Sequence, residues 1–329
     1  MRIRNVIVGA GLAVALSAAI PAAAATITMD PTGSGGAGNE TIDSFDLAFG
    51  NGIALGLTSA SQPGDEGTFL FQANLNTGDL EGTTQFASCL GDWDCFTVVA
   101  AISEVITDND GDGTLEFAFD PTGTNFFRIY ATETEEGDNL TGDCFADGTG
   151  CLPKTLVLEG TFLNDGSFSS AFTHDGTPPV LLDQANDDDY DEVLSLGGNG
   201  SFQANIGNFT FINPLYFPDG LPATIFFDSS SQNSLPFDIV DPSACFSADG
   251  LTGGSTGAFA GTATPCLNQQ GVATVGAINA VSGPNTMLQN HAGLSFEAAA
   301  VPEPLTLSLL GLGLVGVVAR MRRQRHGME

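Results

Sequence analysis

Between two apolar ends the chain repeats one pattern: short runs rich in Phe, Val, Ile and Thr, broken by Gly, Asp and Asn. Such runs predict strands. They lie at 68–75, 125–131, 155–163, 167–173, 201–212, 223–227 and 237–240. Runs at 96–107 and 114–119 flank Asp108-Asn109-Asp110-Gly111-Asp112-Gly113 and predict a hairpin. Helical periodicity is scarce between the ends, and 42 glycines supply turns. The expected fold is all-β, an antiparallel β-sandwich or jelly-roll-like domain. No fixed-period repeat is visible. Residues 248–283, rich in Gly, Thr, Ala and Ser, read as a low-complexity surface stretch.

The two ends read as addresses rather than fold. Arg2 and Arg4 precede an apolar stretch at 6–19, followed by Pro21-Ala22-Ala23-Ala24-Ala25. That is a secretory signal peptide with a small-residue cleavage site. At the other end Val301-Pro302-Glu303-Pro304 leads into an uncharged apolar run at 305–319. Arg320-Met321-Arg322-Arg323-Gln324-Arg325 follows. The run predicts a short C-terminal transmembrane helix, and the arginines hold its tail in the cytoplasm. The expected division is signal peptide 1–25, extracellular β domain 26–300 and sorting signal 301–329. Motif, span and arginines together resemble the PEP-CTERM sorting signal of bacteria that export exopolysaccharide. The resemblance implies transient insertion in the inner membrane and processing by exosortase near Pro302, Glu303 and Pro304. The cell surface or the extracellular matrix is then the destination.

Charge narrows the partners. Between the ends stand 37 acidic residues against two basic ones, Arg128 and Lys154, a formal charge of −35. Such a surface repels phosphate backbones, so nucleic acid is excluded as a partner. Divalent cations, and polymers bridged by them, are the natural counter-partners. Apolar residues make up 42% of the chain and 24 residues are Phe, which is enough for a core and argues against disorder. The six cysteines, Cys89, Cys95, Cys144, Cys151, Cys245 and Cys266, form an even set in an exported chain and read as disulfides. Fifteen pairings are open, and the spacing favours neighbours: Cys89–Cys95, Cys144–Cys151 and Cys245–Cys266.

The body is also similar to the flocculation-associated PEP-CTERM proteins. Asp30-Pro31-Thr32-Gly33, Asn51-Gly52-Ile53-Ala54-Leu55-Gly56 and Phe71-Gln72-Ala73-Asn74-Leu75 carry the likeness. So do Glu104-Val105-Ile106-Thr107, Asn125-Phe126-Phe127-Arg128-Ile129-Tyr130, Asn139-Leu140-Thr141-Gly142, Phe145-Ala146-Asp147-Gly148-Thr149 and Leu182-Asp183-Gln184. It spans roughly residues 30 to 210. It implies matrix attachment and cell aggregation with exopolysaccharide, without turnover.

Motifs for chemistry are few. Asp108, Asp110 and Asp112 before Gly113 repeat the start of an EF-hand loop, with Glu116 at the ninth position and Phe119 where the bidentate Glu belongs. These four acids are the candidate Ca2+ ligands, set against an Asp/Gly-rich turn; no cofactor is required otherwise. Asp187-Asp188-Asp189-Tyr190-Asp191-Glu192 reads as a solvated acidic run. Gly253-Gly254-Ser255-Thr256-Gly257 lacks the strand–turn–helix setting of a nucleophile elbow. Gly33-x-Gly35-x-x-Gly38 opens no helix and is a chance match. His174-Asp175 reads as a surface pair. The expected function is an exported structural or adhesive protein of the polymer matrix, acting in flocculation or biofilm formation and not an enzyme. The alternatives are a calcium-dependent carbohydrate-binding module and, behind it, an exopolysaccharide hydrolase.

Overall fold

A computed structural model describes residues 25–35, 38–109, 111–132, 155–174, 179–182, 194–232, 277–281, 283 and 285–296. Among these residues there are strands and turns and no helix, and the main ladder is antiparallel throughout, as the patterning predicts. In chain order the strands are β1 (Ile27–Met29), β2 (Glu40–Ile42), β3 (Ser44–Leu47), β4 (Gly50–Leu55), β5 (Glu66–Leu80) and β6 (Thr83–Ala87). Next come β7 (Cys95–Asp108), β8 (Thr114–Phe119), β9 (Asn125–Thr132), β10 (Thr155–Phe162), β11 (Ser169–His174) and β12 (Val180–Leu181). The last are β13 (Leu194–Ser195), β14 (Gly198–Ile212), β15 (Ile225–Gln232), β16 (Ile278–Asn279) and β17 (Asn285–Phe296). The hairpin expected around 108–113 is β7–β8. The run at 237–240 lies outside the described residues.

The ladder closes on itself. From β5 it passes to β7, whose far edge carries β9 and β8 end to end. These pair with β10 and β11, which lie end to end along β14. β15 and β17 follow, and β17 pairs with β3 and β4, which return to β5. The expected two packed layers are thus opposite walls of one eight-row barrel. Closure removes the free edges on which strands add.

Inward positions fill most of the interior with aromatic rings. Phe71 on β5 meets Phe227 on β15 at 5.5 Å, and Phe127 on β9 meets the same ring at 6.2 Å. Phe162 and Phe202 complete the group with edge-on contacts of 5.5–5.8 Å. Each buried ring stabilises by about 1.5–3 kcal/mol. A second apolar cluster lies on the outside of β4, β5, β7 and β9, with Ile53, Leu70, Val99, Ala101, Phe126 and Tyr130. Leu182 packs on it. β7 is therefore buried on both faces, which explains its nearly unbroken apolar run.

Side chains finish the ladder where strands stop. Asn279 on β16 is fully buried and acts as a strand partner for Met287: its Oδ1 accepts the Met287 N–H at 2.7 Å, and its Nδ2 donates to the Met287 carbonyl at 2.8 Å. Asn279 falls within the stretch read as low-complexity surface, so at least residues 277–281 of it pack into the fold. The Asp30-Pro31-Thr32-Gly33 segment is a turn built on the buried Asp30 carboxylate, which accepts the N–H groups of Thr32 at 3.0 Å and Gly35 at 2.8 Å. Cys89 and Cys95 form the expected local disulfide, Cα–Cα 4.4 Å apart. Cys144, Cys151, Cys245 and Cys266 lie outside the described residues. The Ala25 N–H donates to the Phe296 carbonyl at 3.0 Å, so the first and last described residues sit side by side.

Candidate functional site

At one end of the barrel the inward residues become small. Ala54 on β4, Ser170 on β11, Ser231 on β15 and Thr286 on β17 replace the phenylalanines of the middle. Small residues on converging strands leave space, and a cavity of about 260 Å³ opens there. Phe69, Leu115, Phe117, Phe172, Phe202 and Leu288 form its apolar wall. Leu57, Asn109 and Ala280 close the end from the adjoining turns.

Glu104 breaks this wall. On β7 the inward positions run Phe96, Val98, Ala100 and Ile102, and Glu104 is the next in the alternation. It pairs across the ladder with Gly67 on β5 and Phe119 on β8 and is only 4% exposed. Burial pushes its carboxyl up to about 7, opposed by a hydrogen bond donated from the Ser170 hydroxyl. Its Oε1 is buried and has no partner among the described residues. Such an orphan acceptor typically costs about 1–3 kcal/mol.

Other buried polar atoms share this orphaned state, two of them on strands that line the cavity. His174, at the end of β11, lines the cavity, and its buried Nδ1 has no partner among the described residues. Its backbone N–H donates to the Gly113 carbonyl at 2.9 Å. This corrects the surface reading of His174; Asp175 lies outside the described residues. Asn290, one inward position past Leu288 on β17 and opposite Ser231, is fully buried, and neither amide atom has a partner among the described residues.

The candidate Ca2+ ligands lie on the adjoining turn. Asp108 ends β7 and stands opposite Glu116 on β8. The Asp112 Oδ1 accepts the Thr114 N–H at 2.7 Å, a turn-capping bond. Asp110 and the acidic run 187–192 lie outside the described residues. Among the described residues no three His, Cys, Asp or Glu side chains gather as a metal site. Arg128 is the one Lys or Arg among the described residues. It pairs with Glu159 at 2.7 Å, and its guanidinium lies 4.5 Å from the centre of the Phe126 ring. Burial raises Glu159, but hydrogen bonds from Thr210 and Arg128 outweigh it and leave the carboxyl below its ordinary value.

The sequence points to no cavity, and it marks Glu104 only as part of the Glu104-Val105-Ile106-Thr107 likeness, with no role in a site. The one signal was an acid within an otherwise apolar strand run. The sorting motif Pro302-Glu303-Pro304 and the apolar run after it lie outside the described residues. Among those described, no helix is long and apolar enough to cross a membrane. No curated protein and no solved structure matches the chain. Residues 300–323, by contrast, match the PEP-CTERM protein-sorting motif. That signal directs export across the inner membrane and placement at the cell surface or beyond after processing. The chain thus carries a PEP-CTERM sorting signal, which implies exosortase as its processing partner.

Proposed function

We propose that the protein is a structural, adhesive component of the extracellular polymer matrix that promotes flocculation or biofilm formation. The observation that carries this reading is the joining of a PEP-CTERM signal to a strongly acidic β domain. A surface of charge −35 stays hydrated and apart from its copies until divalent cations bridge it to an acidic polymer. The protein acts by attachment, without turnover. Its partner is exopolysaccharide or another matrix polymer, and the flocculation-associated likeness of residues 30–210 points the same way.

Cell aggregation tests this. A strain lacking the protein should form smaller flocs than one complemented with it, and a chelator should remove most of the difference. Equal aggregation with and without the protein would sink the reading.

A calcium-dependent carbohydrate-binding module is the second reading, favoured by the cross-strand placement of Asp108 and Glu116. It requires saturable glycan binding that Asp108→Ala abolishes. A glycan hydrolase would use two carboxyl groups flanking the bond, and among the described residues Glu104 is the one acid lining the cavity.

A further inference from the structure

We propose that the cavity at the Glu104 end of the barrel binds a small, largely apolar molecule carrying one hydrogen-bond donor, an amine or a hydroxyl, seated against the Glu104 carboxyl. This goes beyond matrix attachment and does not depend on it. The size is right: an eight-row barrel has an interior that side chains fill or that holds one small ligand. Here side chains fill the middle and leave about 260 Å³ at the end.

The wall selects the ligand's body. Phe69, Phe117, Phe172 and Phe202 offer ring faces and edges, with Leu115 and Leu288 between them. A fully hydroxylated sugar ring would leave several hydroxyls unpaired against these rings, which is unfavourable. The polar groups select the head. Ser170 serves the Glu104 carboxyl, yet Oε1 finds no donor among the described residues. A ligand N–H or O–H supplies the missing partner. Among the described residues no Lys or Arg lines the cavity, so carboxylate and phosphate heads find no counter-charge there. The net charge of −31 favours the approach of cations over anions.

Three probes that differ only in the head test this on the full-length chain: benzylamine, benzyl alcohol and toluene, followed by calorimetry and by NMR contacts to Phe172 and Phe202. Saturable binding of at least one donor-bearing probe, about tenfold or more tighter than toluene, is expected. Glu104→Gln should weaken benzylamine by about tenfold and leave toluene unchanged. Ala54→Leu should fill the space and remove all three, with circular dichroism reporting whether each variant folds. An advantage for benzylamine that grows between pH 6 and 8 assigns the amine, and an advantage for benzyl alcohol assigns the hydroxyl. Toluene binding as tightly as both would reduce the cavity to a dry void and overturn the proposal. So would the absence of saturable binding by any probe, or bound probes without contacts to Phe172 and Phe202, results that need no variant.

Discussion

Glu104 sets how the molecule responds to pH. Its folded value, raised to about 7 by burial, lies above the ordinary 4.5. Between those values the folded chain keeps a proton that the unfolded chain has released. The stability this contributes is full below pH 4.5, falls as pH rises and is lost above about 7. At ~1.4 kcal/mol per unit the loss is about 3 kcal/mol. Asp120, lowered by the Thr122 N–H, and Asp165, lowered by the Ser167 hydroxyl, act in the opposite sense below the ordinary 3.8. The windows do not overlap. Urea unfolding of wild type and Glu104→Gln at pH 4.5 and 7.5 should therefore show wild type losing about 3 kcal/mol relative to the variant. A constant difference between the two would remove this account. The sequence hid the residue for a physical reason. Because β7 is buried on both faces, its run has no polar alternation, and inward could be told from outward only after its partners were known.

Strands tolerate some glycine substitutions and refuse others, according to what stands opposite. A Cβ on Gly50 of β4 would lie 2.7 Å from the Ala73 Cβ and closer still to the Gln72 carbonyl, which belongs to the backbone and cannot swing away. On Gly293 of β17 the nearest atom, the Phe45 carbonyl, is 3.5 Å off, an ordinary contact. Gly50→Ala should lower stability by about 1–3 kcal/mol, and Gly293→Ala by much less; chemical denaturation of both variants checks this ranking. Turn chemistry marks how far elements were legible. The β7–β8 hairpin was visible because Asp and Gly crowd its turn. The β5–β6 hairpin was not, because it turns on Glu81-Gly82, both at positive φ (51° and 73°). That geometry suits a two-residue hairpin loop, but Glu at its first position is not the residue that announces one.

For the whole molecule, the local features read well and the long-range ones did not. The Cys89–Cys95 bridge spans six residues and was legible from spacing. Closure depends on β17 meeting β3 and β4 across some 240 residues, and no local pattern announces such a pairing. The export tail was legible because motif, apolar run and arginines are contiguous. Its working has a direct test: with exosortase present, the intact mass of the released protein should lack everything after about Pro304, and Glu303→Ala should keep the tail. A full-length product in both would mean that the signal is not cut.

Where β17 ends fixes which pole of the barrel stands nearest along the chain to the sorting signal. Six residues separate Phe296 from Pro302, a reach of at most about 20 Å when extended. Glu104, Ala54 and Thr286 belong to the other pole, ten residues or about 30 Å along β17 from Phe296. Were the uncut chain inserted by its apolar run, that short reach would keep the Phe296 pole within about 20 Å of the sorting motif and leave the hollow pole at the far end of the barrel.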